Sequence, residues 1–400
     1  MSEQSDALGA EHPSDRCPGV RAPHSASDGA LARIRLPGGV VSAAQLTELA
    51  NVAATFGDGH LELTSRGNLQ IRGIGDVQAV SDRLTAAGLV PPTHEHVRNI
   101  VASPQSGRVG GRADVRELVA QLDRHLQRRP ALATLSGRFL FGLDDGRGDV
   151  LALQPDSGAL WHDRDTVELI VGGARTGRLI DSRDVIQTML TVAEAFVAVA
   201  AGRWRVRDLD ADQVRAIVAP TAAAPGAEAP AAPLPYRRVP RVGWIDQVDG
   251  RVMLGAMVAH GRLPAQLAEF LAAIGTEILM TCDREILITD LAEGVADTVL
   301  RVLAPMGLIF DAASPWTQVS CCVGAPGCAK SGADVRTLAT GRVAELAGSG
   351  AVSAAGQLAA AGQAPRLREH WVGCDRACGS PAGTHSLLIA SADETRVVVR

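Results

Sequence analysis

Lysine is nearly absent from this 400-residue chain: Lys330 is the single one, and the other 38 of its 39 basic residues are arginine. Every other fixed positive charge is therefore a guanidinium, a planar group suited to bidentate recognition of carboxylates. Excess positive charge is also lacking. A formal charge of −5 argues against a nucleic-acid-binding protein. No apolar run reaches eighteen residues, so no membrane-spanning helix is expected. The first 28 residues are polar, without an apolar core, and do not read as a secretory signal. What is present is a 46% hydrophobic chain, long enough for two or three packed units, with seven cysteines. Without secretory features, those cysteines point to metal or redox use in a reducing cytoplasm rather than to disulfides.

The stretch 217–235 is Ala/Pro-rich and reads as an extended linker between two halves of similar size. The halves echo each other. Residues 31–74 and 252–291 each read as strand, glycine turn, amphipathic helix and two short strands, with Ala-Gln-Leu at 44–46 and again at 265–267. Helical patterns follow at Val77–Ala87 and Gly294–Leu303. This is the pattern of an internal duplication. Beyond each repeat lies a second module. One has strands expected near Arg138–Leu143 and Val150–Leu153 and a helix near Val185–Ala200; the other carries the cysteine motifs and a helix near Ala333–Leu346. The expected fold is α+β with pseudo-twofold symmetry. It divides as an N-terminal segment 1–28, repeat 29–105, module 106–216, linker 217–235, repeat 236–311 and module 312–400.

Cys322 and Cys328 stand in CCVGAPGCAKSGADVR, a C-x5-C spacing on a Gly/Pro loop. Cys374 and Cys378 stand in HWVGCDRACGSPAG, a C-x3-C spacing on a loop after an apolar strand. Four thiolates from two loops can surround a 4Fe–4S cubane, whose soft irons prefer sulfur. Structural zinc usually takes C-x2-C knuckles, which neither spacing matches, yet zinc stays open on spacing alone. Cys321 reads as a buried neighbour, Cys282 as a strand residue in the core, and Cys17 either as a surface thiol or as a group closing the site.

Arg33 and Arg35 alternate along one strand and are expected to share a face. Arg66 in TSRGNLQIRG and Arg98 in VRNIVASP are expected at the ends of neighbouring strands. Together these arginines suit a polycarboxylate.

With those residues in view, the chain resembles the nitrite/sulfite reductase superfamily. RLPGGV at 35–40, LTSRGNLQIRG at 63–73, VRN at 97–99 and the paired cysteine spacings occur in that family's order, over nearly the whole chain. The resemblance implies ferredoxin-like half repeats plus two cofactor-binding modules, and a 4Fe–4S cluster on Cys322, Cys328, Cys374 and Cys378. It carries the role of bridging cluster and haem iron over to Cys378, and tetrapyrrole contacts over to Arg33, Arg35, Arg66, Asn68, Arg98 and Arg138. The reductases hold their anion with a lysine pair; SGRFLFGLDDG here offers Arg138, but Leu140 at the second place. Together with RCPG before DGALARIRLPGG, this points to the cobalamin branch of the superfamily, which hydroxylates precorrin-3A with dioxygen. The implied needs are a second iron centre (non-haem iron, or siroheme in a reductase) and a separate electron donor, a ferredoxin or an NADH-dependent reductase. The chain offers no G-x-G-x-x-G of its own after a strand. Histidine candidates for the second iron are His24, His60, His94, His96 and His370. Two other readings stand beside this one: a siroheme-dependent nitrite or sulfite reductase, and a non-catalytic Fe–S electron-transfer protein.

Overall fold

The computed structural model describes residues 17–221, 240–348, 367–391 and 394–400. These form two compact units: one takes in 17–19, 35–39 and 89–221, the other 20–34, 40–88 and the described residues from 240 onward.

In chain order the first repeat gives β1 His24–Ala26, β2 Gly29–Ile34, β3 Val40–Val41, α1 Ala43–Phe56, β4 His60–Leu63, β5 Leu69–Ile74 and α2 Val77–Ala86. Ser42 starts α1 with a capping box. Its hydroxyl accepts from the Gln45 N–H at 3.2 Å, and the Gln45 side chain accepts from the Ser42 N–H at 3.1 Å. The helix then buries Leu46, Leu49, Ala50, Val52 and Ala53.

The unit built on residues 89–221 contains β6 Ile100–Ala102, α3 Arg116–Gln127, β7 Phe141–Asp144, β8 Ser157–Trp161, β9 Thr166–Val171, β10 Ala174–Asp181, α4 Val185–Val199 and α5 Ala211–Val218. Its sheet runs β10-β9-β8-β7-β6, parallel through β6, β7 and β8 and antiparallel beyond. Phe139, Phe141, Trp161 and Phe196 centre its core. Two expectations change here. Val150–Leu153 is no strand, because the buried Asp144 carboxylate accepts the N–H groups of Gly146, Gly148, Val150 and Leu151 and winds Leu151–Leu153 into a 3₁₀ turn. Ile217 and Val218, at the start of the Ala/Pro-rich stretch, belong to α5, with Ile217 fully buried. The rest of that stretch from 222 lies outside the described residues.

The second repeat follows as β11 Gly243–Asp246, β12 Val252–Ala256, β13 Arg262–Pro264, α6 Ala265–Ala273, β14 Ile278–Met280, β15 Ile286–Leu291 and α7 Glu293–Leu303. Two five-stranded sheets result, β1-β2-β5-β4-β13 and β11-β12-β15-β14-β3. They have one order, and each is completed by the short strand of the other repeat. Leu263 pairs with Leu61 as Val41 pairs with Ile278. Helices α1 and α6 pack on each other.

The chain ends in β16 Val319–Cys321, α8 Val335–Gly348, β17 Arg368–Val372, β18 His385–Ala390 and β19 Thr395–Val399. In this sheet β16, β17 and β18 are parallel and β19 is antiparallel. Parallel strands deliver the loops that follow them to the same edge, where open α/β sheets commonly bind ligands.

Candidate functional site

The two cysteine pairs meet at that edge. Cys322 follows β16, and its N–H donates to the Trp371 carbonyl on β17 at 2.9 Å; Cys374 lies just beyond the end of β17. The Cys322 sulfur accepts from the backbone N–H groups of Gly324 and Gly373. The Cys328 N–H closes its loop on the Gly324 carbonyl at 2.9 Å. Charges on Cys322, Cys374 and Cys328 all act on Cys378, so the four sulfurs form one electrostatic group. Desolvation first, and the neighbouring thiols next, push the thiol of the exposed Cys378 above its ordinary pKa, and burial does the same for Cys322. A bound metal centre reverses that tendency, because coordination deprotonates a thiol outright.

Zinc–sulfur bonds of about 2.3 Å bring four thiolates to within roughly 4 Å of one another. Among the described residues, the group whose ligand atoms lie within 4.8 Å is Asp144, Asp145 and Asp149, and it includes no cysteine. No three of the four cysteine sulfurs all lie within 4.8 Å of one another.

Buried arginines hold both loops. Arg72 on β5 is bidentate to Asp28, at 2.9 Å from both Nε and Nη2, and Nη2 also donates to the Gly327 carbonyl, beside Cys328, at 2.6 Å. Arg284 donates from Nη2 to the Gly379 carbonyl, beside Cys378, at 2.6 Å. His370 lies between, its Nε2 3.0 Å from the Cys378 carbonyl and its Nδ1 2.9 Å from the Ser320 hydroxyl. Burial, with Arg284 next, pulls its pKa to about 3, so it is a neutral ring.

The arginines singled out in the sequence have different surroundings. Arg33 ends β2 half-buried, with Nε and Nη2 on the Gln70 side-chain oxygen at 3.0 and 2.6 Å. Arg66 is half-buried in the β4–β5 turn, next to Asn68, whose backbone N–H donates to the Thr64 hydroxyl at 3.0 Å. Arg35 lies past the end of β2, buried, with Nη2 3.2 Å from the Cys17 sulfur. Arg98 precedes β6, which belongs to a different sheet from β4 and β5, so the two arginines do not end neighbouring strands. Its guanidinium is bidentate to Asp123, at 2.7 and 2.9 Å. Arg138 is exposed, its guanidinium 4.1 Å over the Trp204 ring.

His94 has both ring nitrogens taken, by Thr93 and the Arg129 carbonyl, and it opens a 3₁₀ turn rather than alternating in a strand. His60 bonds the Asp58 carbonyl, His24 is exposed in β1, and His96 is half-buried. Cys282 lies in the β14–β15 turn, not in a strand, because Thr281 and Glu285 close that turn around it. Cys321 is buried, 3.4 Å from Nδ1 of His260; burial pushes this thiol up to about 12 and the imidazole down to about 4, which makes a neutral pair. Arg72, Arg284 and His260 are absent from the sequence-level set. Aligning the two repeats could have flagged two of them, since Arg284 and His260 stand where the first repeat has glycine.

Comparison with known proteins finds similarity to one family model and to several relatives. Residues 24–87 match the nitrite/sulfite reductase ferredoxin-like half domain. A precorrin-3B synthase from Sinorhizobium sp. is 25% identical over 96% of this chain and 82% of its own length. The chain is similar to that synthase along nearly its whole length. Against that full-length match, a ferredoxin–nitrite reductase from Synechococcus elongatus is 34% identical but over only 29% of this chain and 25% of its own. The NirA protein of Mycobacterium tuberculosis shares the fold, with a TM-score of 0.70 and 19% identity over 92% of this chain and 73% of that one. No helix among the described residues is long and apolar enough to cross a membrane.

Proposed function

We propose that the chain converts precorrin-3A to precorrin-3B in aerobic cobalamin biosynthesis. The observation that carries this is the match to a precorrin-3B synthase along 96% of the chain, where the nitrite reductase matches stop at about a quarter of their length. In the reaction one oxygen atom of O2 enters the ring at C20. The other leaves as water with two electrons and two protons, and the ring A acetate closes a lactone.

Cys322, Cys328, Cys374 and Cys378 would hold a 4Fe–4S cluster, and the second repeat would be a second half domain of the same family. Such a cluster, when bound, supplies electrons one at a time from a separate ferredoxin or NADH-dependent reductase. The chain's own residues do the rest. Arg33 and Arg66 would grip carboxylates of the ring through charge-assisted hydrogen bonds and fix its orientation; Arg35, Arg98 and Arg138 belong to the other unit. Asn68 holds the turn that presents Arg66. Arg98, bidentate to Asp123, has both its fork and its charge taken up within its own unit. Of the histidines considered for a second iron, His94 and His370 already spend both ring nitrogens on the protein.

The test is anaerobic reconstitution with iron and sulfide, then incubation with precorrin-3A, reductant and O2, read by mass spectrometry. A product heavier by one oxygen atom is expected. Unchanged precorrin-3A beside an intact, reducible cluster overturns the proposal, and a siroheme absorption band with reduction of nitrite or sulfite would replace it by the reductase reading.

A further inference from the structure

Arg284 stands at the left-handed corner of the β14–β15 turn with φ 61°, where the β4–β5 turn has Gly67 at 66°. The two turns are otherwise bonded alike. Gly67 N–H donates to the Thr64 carbonyl at 3.3 Å, and Arg284 N–H to the Thr281 carbonyl at 3.0 Å. The Thr64 hydroxyl accepts from the N–H groups of Arg66 and Asn68, and the Thr281 hydroxyl from those of Asp283 and Glu285. Nothing in the turn itself calls for a guanidinium, and the left-handed conformation costs a side-chain-bearing residue about 1–2 kcal/mol. An outlier of this kind motivates a search for function in what the side chain reaches.

The side chain passes Gly261, where an added Cβ would come within 2.8 Å of its Cδ. It ends with Nε 3.3 Å from the Leu63 carbonyl and Nη2 2.6 Å from the Gly379 carbonyl. Gly379 leaves room for this approach, since a Cβ there would lie 2.4 Å from Nη2. The preceding carbonyl, of Cys378, is bonded to His370. Two consecutive carbonyls are thus fastened directly after the Cα that carries the Cys378 sulfur.

Both of these hydrogen bonds end on neutral carbonyls, whereas Arg72 in the other loop is neutralised by Asp28. The carboxylates acting on Arg284 are Asp283 and Glu62, while Cys321 beside it is a neutral thiol. The two carboxylates have guanidinium partners of their own, in Arg368 and Arg336. A buried guanidinium stays charged.

We propose that Arg284 is a positioning residue of the four-cysteine site, pinning Cys378 through the Gly379 carbonyl and placing a positive charge that makes the site easier to reduce by one electron. The electrostatic half rests on the cluster reading above, because one-electron uptake adds a negative charge beside that cation.

The full-length chain, reconstituted anaerobically, is titrated with dithionite under EPR, and the iron-free chain is labelled with iodoacetamide and mapped by mass spectrometry. Arg284→Gln is expected to shift the one-electron equilibrium roughly tenfold toward the oxidised form, a midpoint about 59 mV lower. Arg284→Lys, which keeps the charge, is expected to recover most of that shift. Both variants are expected to label several-fold faster at Cys378, with Cys328 unchanged. An unshifted midpoint in Arg284→Gln removes the charge role, and unchanged labelling in a folded variant removes the pin. If Arg284→Gln does not fold, Arg284→Lys alone decides: faster labelling at Cys378 with a held midpoint supports the proposal, and any other combination sinks it. Should the wild-type chain take up no iron and sulfide, the cluster reading fails, while the labelling still decides the pin.

Discussion

At three corners of left-handed backbone the first repeat has Gly38, Gly67 and Gly73, and the second has His260, Arg284 and Asp290 at nearly the same φ. The strand order and register are shared, so the backbone asks the same of both. Glycine meets that demand without cost; the second repeat meets it with side chains that must reach something to justify their place. His260 reaches Cys321 and the Thr340 hydroxyl, and Arg284 reaches the Cys378 loop. A further reversal sits next to this: Arg66 in the first turn has Asp283 as its counterpart, whose carboxylate is held by Arg368. One copy of the turn thus carries the cation proposed above for the ring, and in the other the corner side chain reaches the Cys378 loop.

That division of labour can be broken in stages. The most severe is Cys374→Ser, expected to abolish the absorbance near 400 nm and all turnover; a retained spectrum would leave the inward-facing side chains with nothing to serve. Next, Arg66→Ala should weaken tetrapyrrole binding by about 1.5–3 kcal/mol, the range for a charged hydrogen bond, with the cluster spectrum unchanged. Loss of the cluster in that variant would show that the first turn is not the ligand-facing one. Gly67→Ala should cost about 1–2 kcal/mol in urea unfolding, the left-handed cost that Arg284 bears in the second copy. The smallest effect concerns His260. Burial, then Arg336 and Arg262, hold its pKa at about 4, against an ordinary value near 6.5. The unfolded chain gains this proton as pH falls through 6.5 and the folded chain only near 4, so its contribution is complete above 6.5 and declines below. His260→Gln should therefore lose less stability than wild type between pH 7 and pH 5, measured by urea midpoints at each pH.

The duplication was legible because hydrophobic period and element order survive where identity does not. The two cysteine spacings marked their loops as well, one by its Gly/Pro content and the other by the apolar strand before it. What stayed hidden was non-local. Val40–Val41 is a two-residue strand whose partner lies in the other repeat, and no local pattern names it. Val150–Leu153 carries a strand's apolar content, but a carboxylate six residues earlier captures its N–H groups. Arg98 reads as a surface cation until Asp123 appears beside it, one helix later in sequence.

The exchanged strands also set an order of assembly. β4 has its outer neighbour, β13, about two hundred residues further on, so the first sheet cannot close its edge until most of the polypeptide has been synthesised. Pairing over such separations is slow, and until then β4 offers a bare row of amides and carbonyls to any other nascent chain. Severing the chain between the repeats should accordingly give two pieces, each insoluble by itself, that recover a folded product only when made together.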